Sequence, residues 1–494
     1  MADRVPDTAW TAVWDDFLKN KVAQAELRAS PFLHSLPDKL AAASKAPSLK
    51  PADAEQFVML ADLAHIAGAF RDDEATLRLA LAAYDTHLKA VPDNLAAMRM
   101  RAETLLRCRD NKAAFAAFDE LHTASQAAGA PEDTEIAPFQ LLHDADAVEI
   151  AVRLGAADDS QRLVAGWRNL ASALTSQAGG DATSRTAVGA LTPEQRALLT
   201  GGATSSLAAA AAGVRRDLPL PPAPPRPPNA LREDIDWVAA QQAYSSEQLV
   251  VIDNILNPAA LAYLQHYSRH GANFQTMRKG YLGAFPADGT TDPLLLSLAG
   301  ELTAAAPTIF STHALALWWL FKYDQTNPSG IGIHADPAAV NLNLWLTEDA
   351  ARLEGGGLAI YSHVPELEQN TQAVNKEFGA GAEEELRRSL TASGGVHTIE
   401  YACNRAAIFV SDQYHESLPF QFRPGYENRR CNLTVCPQLT STLLLSTGTR
   451  TGGAISLSCT ETGGLLRARI PGRVALLTEQ LLLRLRRRWP QTFS

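Results

Sequence analysis

The segment LPLPPAPPRPP places seven prolines between Pro219 and Pro228. Proline has a fixed φ and no N–H for a helix or a sheet ladder, so this run cannot enter a packed core and is expected to form a stiff polyproline-II spacer. A ligand for an SH3-type domain is a second reading of such a run; a boundary between folding units is the plainer one. The chain has 494 residues, enough for about three units of ordinary size. The spacing of apolar residues changes character across the boundary.

Before it, residues 1–173 read as helix, because apolar residues recur every three or four positions and strand-like alternation is scarce. A repeat lies inside this region. Adding 34 to Gly68, Ala80 and Tyr84 gives Ala102, Ala114 and Phe118, matched in size or aromatic character, with Pro92-Asp93-Asn94 at the handover between units. The pattern resembles a tetratricopeptide pair, in which small residues let two antiparallel helices approach and an aromatic fills the space between units. An irregular Ala-rich bundle is the alternative, and two units would need flanking helices to complete a stack. Residues 174–230 read as a linker, first rich in Ala, Ser, Gly and Thr with one helix start at Thr192-Pro193-Glu194-Gln195, then rich in proline.

Residues 231–440 have a different texture. LVVIDNIL (249–256), WWLFKYD (318–324), AVNLNLWLT (339–347), GGLAIYS (356–362), AAIFVSD (406–412) and RRCNLTVC (429–436) are short, β-branched and aromatic runs separated by turn residues. They predict a sandwich or barrel with helices near 258–270 and 292–306 packed outside it. Residues 441–494 are a Ser/Thr/Gly segment and a basic tail, RVALLTEQLLLRLRRRWP, whose leucines fall at helical spacing. A helix docked on the domain is a plainer reading of that tail than one on a membrane surface or a partner.

Composition narrows the function. Hydrophobic residues make up 46% and charged residues 20%, a globular balance. The net charge of −10 offers no general attraction to nucleic acid, which is not expected as a partner. No apolar run reaches the roughly 18 residues of a membrane span, and the start MADRVPDTAW lacks a signal-peptide layout, so a soluble, cytoplasmic protein is expected. The five cysteines contain no CxxC pair and are expected as free thiols. GxxxxGK[ST], HExxH and GxSxG are all missing, which removes the usual signatures of nucleotide hydrolysis, zincin proteolysis and serine hydrolysis.

The chemistry lies around Ile333-His334-Ala335-Asp336. Residues two apart in an extended chain project to one face, so the His334 imidazole and the Asp336 carboxylate can converge. His415, after the apolar strand AAIFVSD, is the third candidate. Two histidines and one carboxylate on one face of a metal, with the remaining positions open, suit non-haem Fe(II) activating dioxygen. Farther on, alternation puts Arg430, Asn432 and Thr434 on one face and Arg429, Cys431 and Leu433 on the other. An arginine on the inner face needs an anion, and a dicarboxylic co-substrate would satisfy it.

In this order, FKYD before GIGIHADPAAVNLNLWLT, GGGLAIYSH in the middle, and SDQYHE with GYENRRCNLTV at the end resemble the 2-oxoglutarate and Fe(II)-dependent dioxygenases. More narrowly, they resemble prolyl-hydroxylase-like members in which a tetratricopeptide region precedes the oxygenase. The similarity runs from about residue 57 to 437 and is most specific over 279–435. The resemblance implies a multidomain α + β chain, with an N-terminal α-helical, TPR-like region followed by a double-stranded β-helix, a jelly roll whose open mouth holds the metal. It implies His334, Asp336 and His415 as Fe(II) ligands and Arg430 as the grip on the distal carboxylate of 2-oxoglutarate. O2 is the implied oxidant, ascorbate a further cofactor, and hydroxylation with release of succinate and CO2 the implied reaction.

One departure stands out. Arg430 lies fifteen positions (430 − 415) past His415, farther than is common in prolyl hydroxylases, which leaves Arg423 and Arg429 open as the anchor. Tyr323 is a candidate donor to the co-substrate, and Asn341 or Asn343 a candidate lining of the pocket; each is also read as a packed strand residue. Trp345 is expected in the core. Asp412 and Glu416 flank His415 and either orient its ring or face solvent. The substrate is a protein side chain, a peptide or a small molecule, and the helical region offers a surface for a protein or peptide partner. The competing reading is an inactive jelly-roll scaffold for protein–protein interaction.

Overall fold

The computed structural model describes residues 12–13, 22–45, 48–71, 73–129, 133–156, 160–202, 207, 218–271, 273–278, 280–311, 313–323, 330–336, 338–363 and 380–439. The basic tail within 441–494 lies outside the described residues. The N-terminal part is helical: α1 (Val22–His34), α2 (Leu36–Lys45), α3 (Pro51–Arg71), α4 (Glu74–Ala90), α5 (Leu95–Arg107), α6 (Asn111–Ala128), α7 (Pro138–Arg153), α8 (Gln161–Gln177) and α9 (Pro193–Leu199). Side-chain oxygens of Asp73, Asn94 and Asp110 accept from Ala75, Ala97 and Ala113 N–H at the starts of α4, α5 and α6. Such caps satisfy orphan donors and stabilise each helix by about 1 kcal/mol. Ala80, Tyr84, Ala102, Ala114 and Phe118 are all buried. A Cβ on Gly68 would stand 2.8 Å from Leu77 Cγ and 2.9 Å from its backbone N, so only glycine lets α3 and α4 approach there.

The stretch read as a linker from 174 is partly folded. The Thr192 hydroxyl accepts from Gln195 N–H while the Gln195 side chain accepts from Thr192 N–H, which starts α9 as the sequence signalled. The Trp167 indole donates to Leu199 O at 2.9 Å, and Val188, Leu191 and Leu199 complete a core with Leu170 and Leu174. The apolar side chains among the Ala/Ser/Gly residues decide this, because they find a buried partner on α8. The short strands β1 (Glu135–Ile136) and β2 (Thr186–Ala187) pair beside them. The prolines of the run 219–228 form neither helix nor strand. They are not a free spacer: Pro221 is buried and its carbonyl accepts from His266 Nε2 at 3.2 Å.

The C-terminal part is an antiparallel sheet domain. Its strands are β3 (Leu249–Ile252), β4 (Thr276–Arg278), β5 (Tyr281–Ala284), β6 (His313–Tyr323), β7 (Val340–Trp345), β8 (Arg352–Gly355), β9 (Leu358–Tyr361), β10 (Val396–Ile399), β11 (Ala406–Val410), β12 (His415–Ser417), β13 (Phe420–Phe422) and β14 (Cys431–Leu439). A seven-stranded sheet runs β3-β11-β7-β14-β6-β5-β4; the others are β10-β9-β12 and β13-β8. The helices are α10 (Trp237–Glu247), α11 (Pro258–His266), α12 (Pro293–Ala305), α13 (Pro307–Phe310) and α14 (Ala380–Ala392). No helix among the described residues is long and apolar enough to cross a membrane. One core lies between the sheets, with Trp319, Phe321, Tyr323, Trp345 and Phe409 from the large sheet against Leu358, Ile360, Ile399, Phe420 and Phe422.

The opposite face of the large sheet is covered by helices from both parts of the chain. Trp318 alternates with Trp319 on β6 and so points outward, where its ring stacks on Phe115 of α6 at 4.5 Å and its indole donates to Thr290 O at 2.6 Å. A single apolar cluster therefore joins Leu106 and Phe118 to Leu320 and Leu433. Trp318→Ala is expected to cost about 3–5 kcal/mol in a denaturant titration, as a buried aromatic truncation does; a loss below about 1 kcal/mol would show that the two parts are not one cooperative unit.

Lys322 is also on that outward face and fully buried, with Nζ donating to Arg269 O at 2.9 Å and Tyr426 Oη at 3.0 Å. Burial pushes its ammonium down to about 7 from an ordinary 10.5. Between those values the unfolded chain binds more protons, so this group's contribution to stability rises with pH across that window. The stability difference between the wild type and Lys322→Met should therefore move in favour of the wild type from pH 7 to pH 9. Equal differences at the two pH values would show that burial does not depress the Lys322 ammonium.

Candidate metal centre

The His334 segment, 330–336, and the start of β12 meet through one isolated bridge, in which His334 N–H donates to His415 O at 3.0 Å and His415 N–H to His334 O at 2.8 Å. Directly opposed residues in an antiparallel pair project to the same face, and the two rings lie 4.2 Å apart. Asp336 is two residues on and reaches the same point. His334 Nε2 is 3.6 Å from Asp336 Oδ1, and His415 Nε2 is 3.4 Å from Asp336 Oδ2. Among the described residues, this is the group of three whose ligand atoms lie within 4.8 Å of one another.

Backbone carbonyls set the tautomers. His334 Nδ1 is 2.9 Å from Gly332 O and His415 Nδ1 is 2.9 Å from Gln413 O. A carbonyl only accepts, so each Nδ1 carries a proton and each Nε2 is turned to Asp336. Burial, and then the neighbouring His415, push His334 below its ordinary value and keep it neutral. Burial alone would raise the Asp336 carboxyl, but the adjoining rings outweigh it and hold the group below the usual carboxylate range. Asn341 Nδ2 donates to Asp336 Oδ2 at 2.7 Å and aims the carboxylate. Two imidazole Nε2 atoms and a carboxylate thus converge within 4.8 Å, a donor set that fits a divalent cation with open positions.

Arg430 is 1% exposed and enters the core between the sheets, over the rings of Tyr323 and Phe420. Its Nε and Nη2 donate to Gly356 O at 3.1 and 3.0 Å, and its guanidinium lies 4.4 Å from the Tyr323 ring centroid. Nη1 is buried without a hydrogen-bond partner. Among the described residues no carboxylate pairs with Arg430. A buried cation with one unfilled edge fits a ligand carboxylate received end-on by Nη1 and Nη2.

The other two arginines point elsewhere. Arg429 pairs with Asp146 of α7 at 3.3 Å, and Arg423 Nε donates to Ala350 O at 2.8 Å on the exterior. The alternation read along 429–434 is the observed one, with Asn432 and Thr434 inward. Asn343 is inward too, its Oδ1 accepting from Asn432 Nδ2 at 3.0 Å. Trp345 is in the core as expected. Gln413 O holds His415 Nδ1, while Glu416 is buried and held by Tyr361 Oη and Arg387. The sequence reading also missed Gly356 O as the seat of Arg430. Its signal was the GGG run 355–357, where Gly355 and Gly356 have φ of 61° and 88° and the backbone passes close to Pro419.

No protein-family model and no curated protein matches the sequence. By structure the chain is similar to a prolyl-4-hydroxylase from Pseudomonas putida, with 17% identity and TM-score 0.27 over 42% of this chain and 96% of that one. It is similar to an oxidoreductase of the 2OG-Fe(II) oxygenase family from Burkholderia pseudomallei, with 10% identity and TM-score 0.28 over 43% and 95%. A third neighbour is HygX from Streptomyces hygroscopicus with nickel, 2-oxoglutarate and hygromycin B bound, at 11% identity and TM-score 0.28 over 42% and 87%. With TM-scores of this size, the chemistry is read from the side chains of this chain rather than from the likeness.

Proposed function

We propose that the chain is a non-haem Fe(II) and 2-oxoglutarate-dependent dioxygenase that hydroxylates a protein, peptide or small-molecule substrate. The observation that carries this reading is the pairing, in one interior, of the preset His334–Asp336–His415 donor set with a buried Arg430 that lacks a counter-anion. Either alone is compatible with other chemistry; together they match a metal and a dicarboxylate. His334, Asp336 and His415 would hold Fe(II), and Arg430 the distal carboxylate of 2-oxoglutarate, with Tyr323 stacked under the guanidinium. Bound there, the pair supplies the oxidation in which 2-oxoglutarate loses CO2 to become succinate while one oxygen atom goes to a substrate C–H bond. The protein's part is to fix the co-substrate at both ends and to exclude water with the aromatic wall of Trp319, Phe321 and Phe409.

The sheet domain is taken as a double-stranded β-helix, and α3–α6 as tetratricopeptide-like units that recruit a protein or peptide partner. The described cysteines carry no disulfide, which suits a cytoplasmic setting. The test is an anaerobic titration of the protein with Fe(II) and 2-oxoglutarate, followed by oxygen with and without ascorbate. A metal-to-ligand absorption band and succinate release are expected. Neither band nor bound iron would leave the scaffold reading in its place.

A further inference from the structure

Helix α14 packs on the faces of β9 and β12 that look away from the converging ligand atoms. Leu386 and Leu390 join Ile333, Ala359, Tyr361 and Tyr414 there in a small core. Two polar ties run from this helix to the two histidine-bearing segments. Arg387 Nε and Nη2 hold Glu416 Oε1 and Oε2 at 3.0 and 2.7 Å, and Tyr361 Oη donates to Glu416 Oε1 at 2.6 Å. Glu416 is 8% exposed and directly follows His415. On the other segment, Glu383 Oε1 accepts from Ile333 N–H at 3.3 Å and from Arg387 Nη2 at 3.0 Å. The Glu383 carboxylate lies so close to Gly332 that a Cβ there would collide with it. Gly332 O is the carbonyl that holds His334 Nδ1.

We propose that Arg387 is a positioning residue for the metal centre, clamping from behind the residue before His334 and the residue after His415 so that their imidazoles keep a ligating separation. This rests on the reading of His334, Asp336 and His415 as metal ligands. The need for a clamp follows from the local topology. Residues 330–336 belong to no strand, and they face β12 through the single His334–His415 exchange and the Ser417 N–H to Ile331 O bond of 2.9 Å. A regular ladder of several rungs would fix the spacing by itself; two short ties leave it free to open. One guanidinium, which also pairs through Nη1 with Glu384 of its own helix at 2.5 Å, bridges Glu383 and Glu416 and closes it, because charge-assisted forks are directional as well as strong. Without Arg387, Glu416 and Glu383 would be like charges facing each other in a partly buried space, which pushes the two segments apart.

The test is metal affinity rather than turnover. Dissociation constants for Fe(II) under nitrogen, and for Co(II) as a coloured substitute, are measured on the full chain well below its unfolding midpoint. Arg387→Ala is expected to weaken binding by about 10- to 100-fold, the range for groups that orient metal ligands. Arg387→Lys should recover part of that, since an ammonium restores the charge but not the fork. The double variant Arg387→Ala/Glu416→Gln should bind no more weakly than Arg387→Ala, and Arg388→Ala, on the exposed side of the same helix, should bind as the wild type does. Wild-type metal affinity in Arg387→Ala, whatever its melting temperature, overturns the proposal. If circular dichroism shows that Arg387→Ala does not fold, Arg387→Lys and Glu383→Gln decide: both must weaken binding, and unchanged affinity overturns it. A wild-type protein that binds neither metal would instead overturn the oxygenase reading from which this one starts.

Discussion

Asp336→Asn is expected to weaken Fe(II) binding by more than about a hundredfold and to stop succinate formation, with circular dichroism unchanged. Groups that merely orient a metal ligand are worth about 10- to 100-fold in affinity, and loss of the charged ligand itself must exceed that. The substitution keeps the volume and removes the only formal negative charge among the three converging groups. It also puts an amide where the carboxylate oxygens face the two Nε2 atoms at 3.6 and 3.4 Å. His415→Ala should have an effect of similar size, through loss of one ligand and of the ring that packs on Phe409 at 5.0 Å. Wild-type succinate formation in either variant would remove that residue from the metal site.

Arg430→Ala should raise the apparent KM for 2-oxoglutarate by roughly 150-fold, the equivalent of about 3 kcal/mol for truncating one partner of a buried charge pair. The effect should fall on the co-substrate requirement more than on turnover at saturation, because the distal carboxylate is gripped before and during the reaction alike. Stability offers an independent sign. In the absence of 2-oxoglutarate, Arg430 is a buried cation with one unpartnered edge, so Arg430→Met is expected to unfold at an equal or higher denaturant concentration than the wild type. Arg423→Ala and Arg429→Ala should leave the 2-oxoglutarate requirement unchanged. If either of them has the effect instead, the inward register of residues 430–434 is not the working one.

Much of the site is written in local spacing. The H-x-D pair converges because two residues of extended chain repeat one face, and Arg430 lies inside because alternation from Asn432 and Thr434 puts it there. The strands carrying AVNLNLWLT, GGLAIYS and AAIFVSD were legible from their β-branched and aromatic content, as was the start of α9 from its capping box. Short strands such as β8, β10 and β13 were not: three or four residues carry too little periodicity to distinguish them from loops. Helix α14 was missed for a related reason. Its sequence AGAEEELRRSLTA is dominated by charge, and its apolar stripe is only Leu386 and Leu390. The extent of the helical part was underestimated because Val188, Leu191 and Leu199 are sparse among small residues, and only α8 shows what they bury against.

By itself, the sequence determined the helical and strand-rich halves of the chain, the residue types of the donor set and the face on which each strand residue sits, because these depend on periods of two and of three to four residues along the chain. The tertiary structure decided everything that depends on residues far apart. It brought His415 opposite His334 across 81 positions (415 − 334), paired Arg429 with Asp146 on a helix of the other half while burying Arg430 in the interior, and laid the proline run on the folded surface. It also placed Arg387 between Glu383 and Glu416, and Phe115 on Trp318, so that the helical part shares its core with the sheet domain. Charge pairing and apolar burial have no sequence period, so only the folded chain can assign their partners.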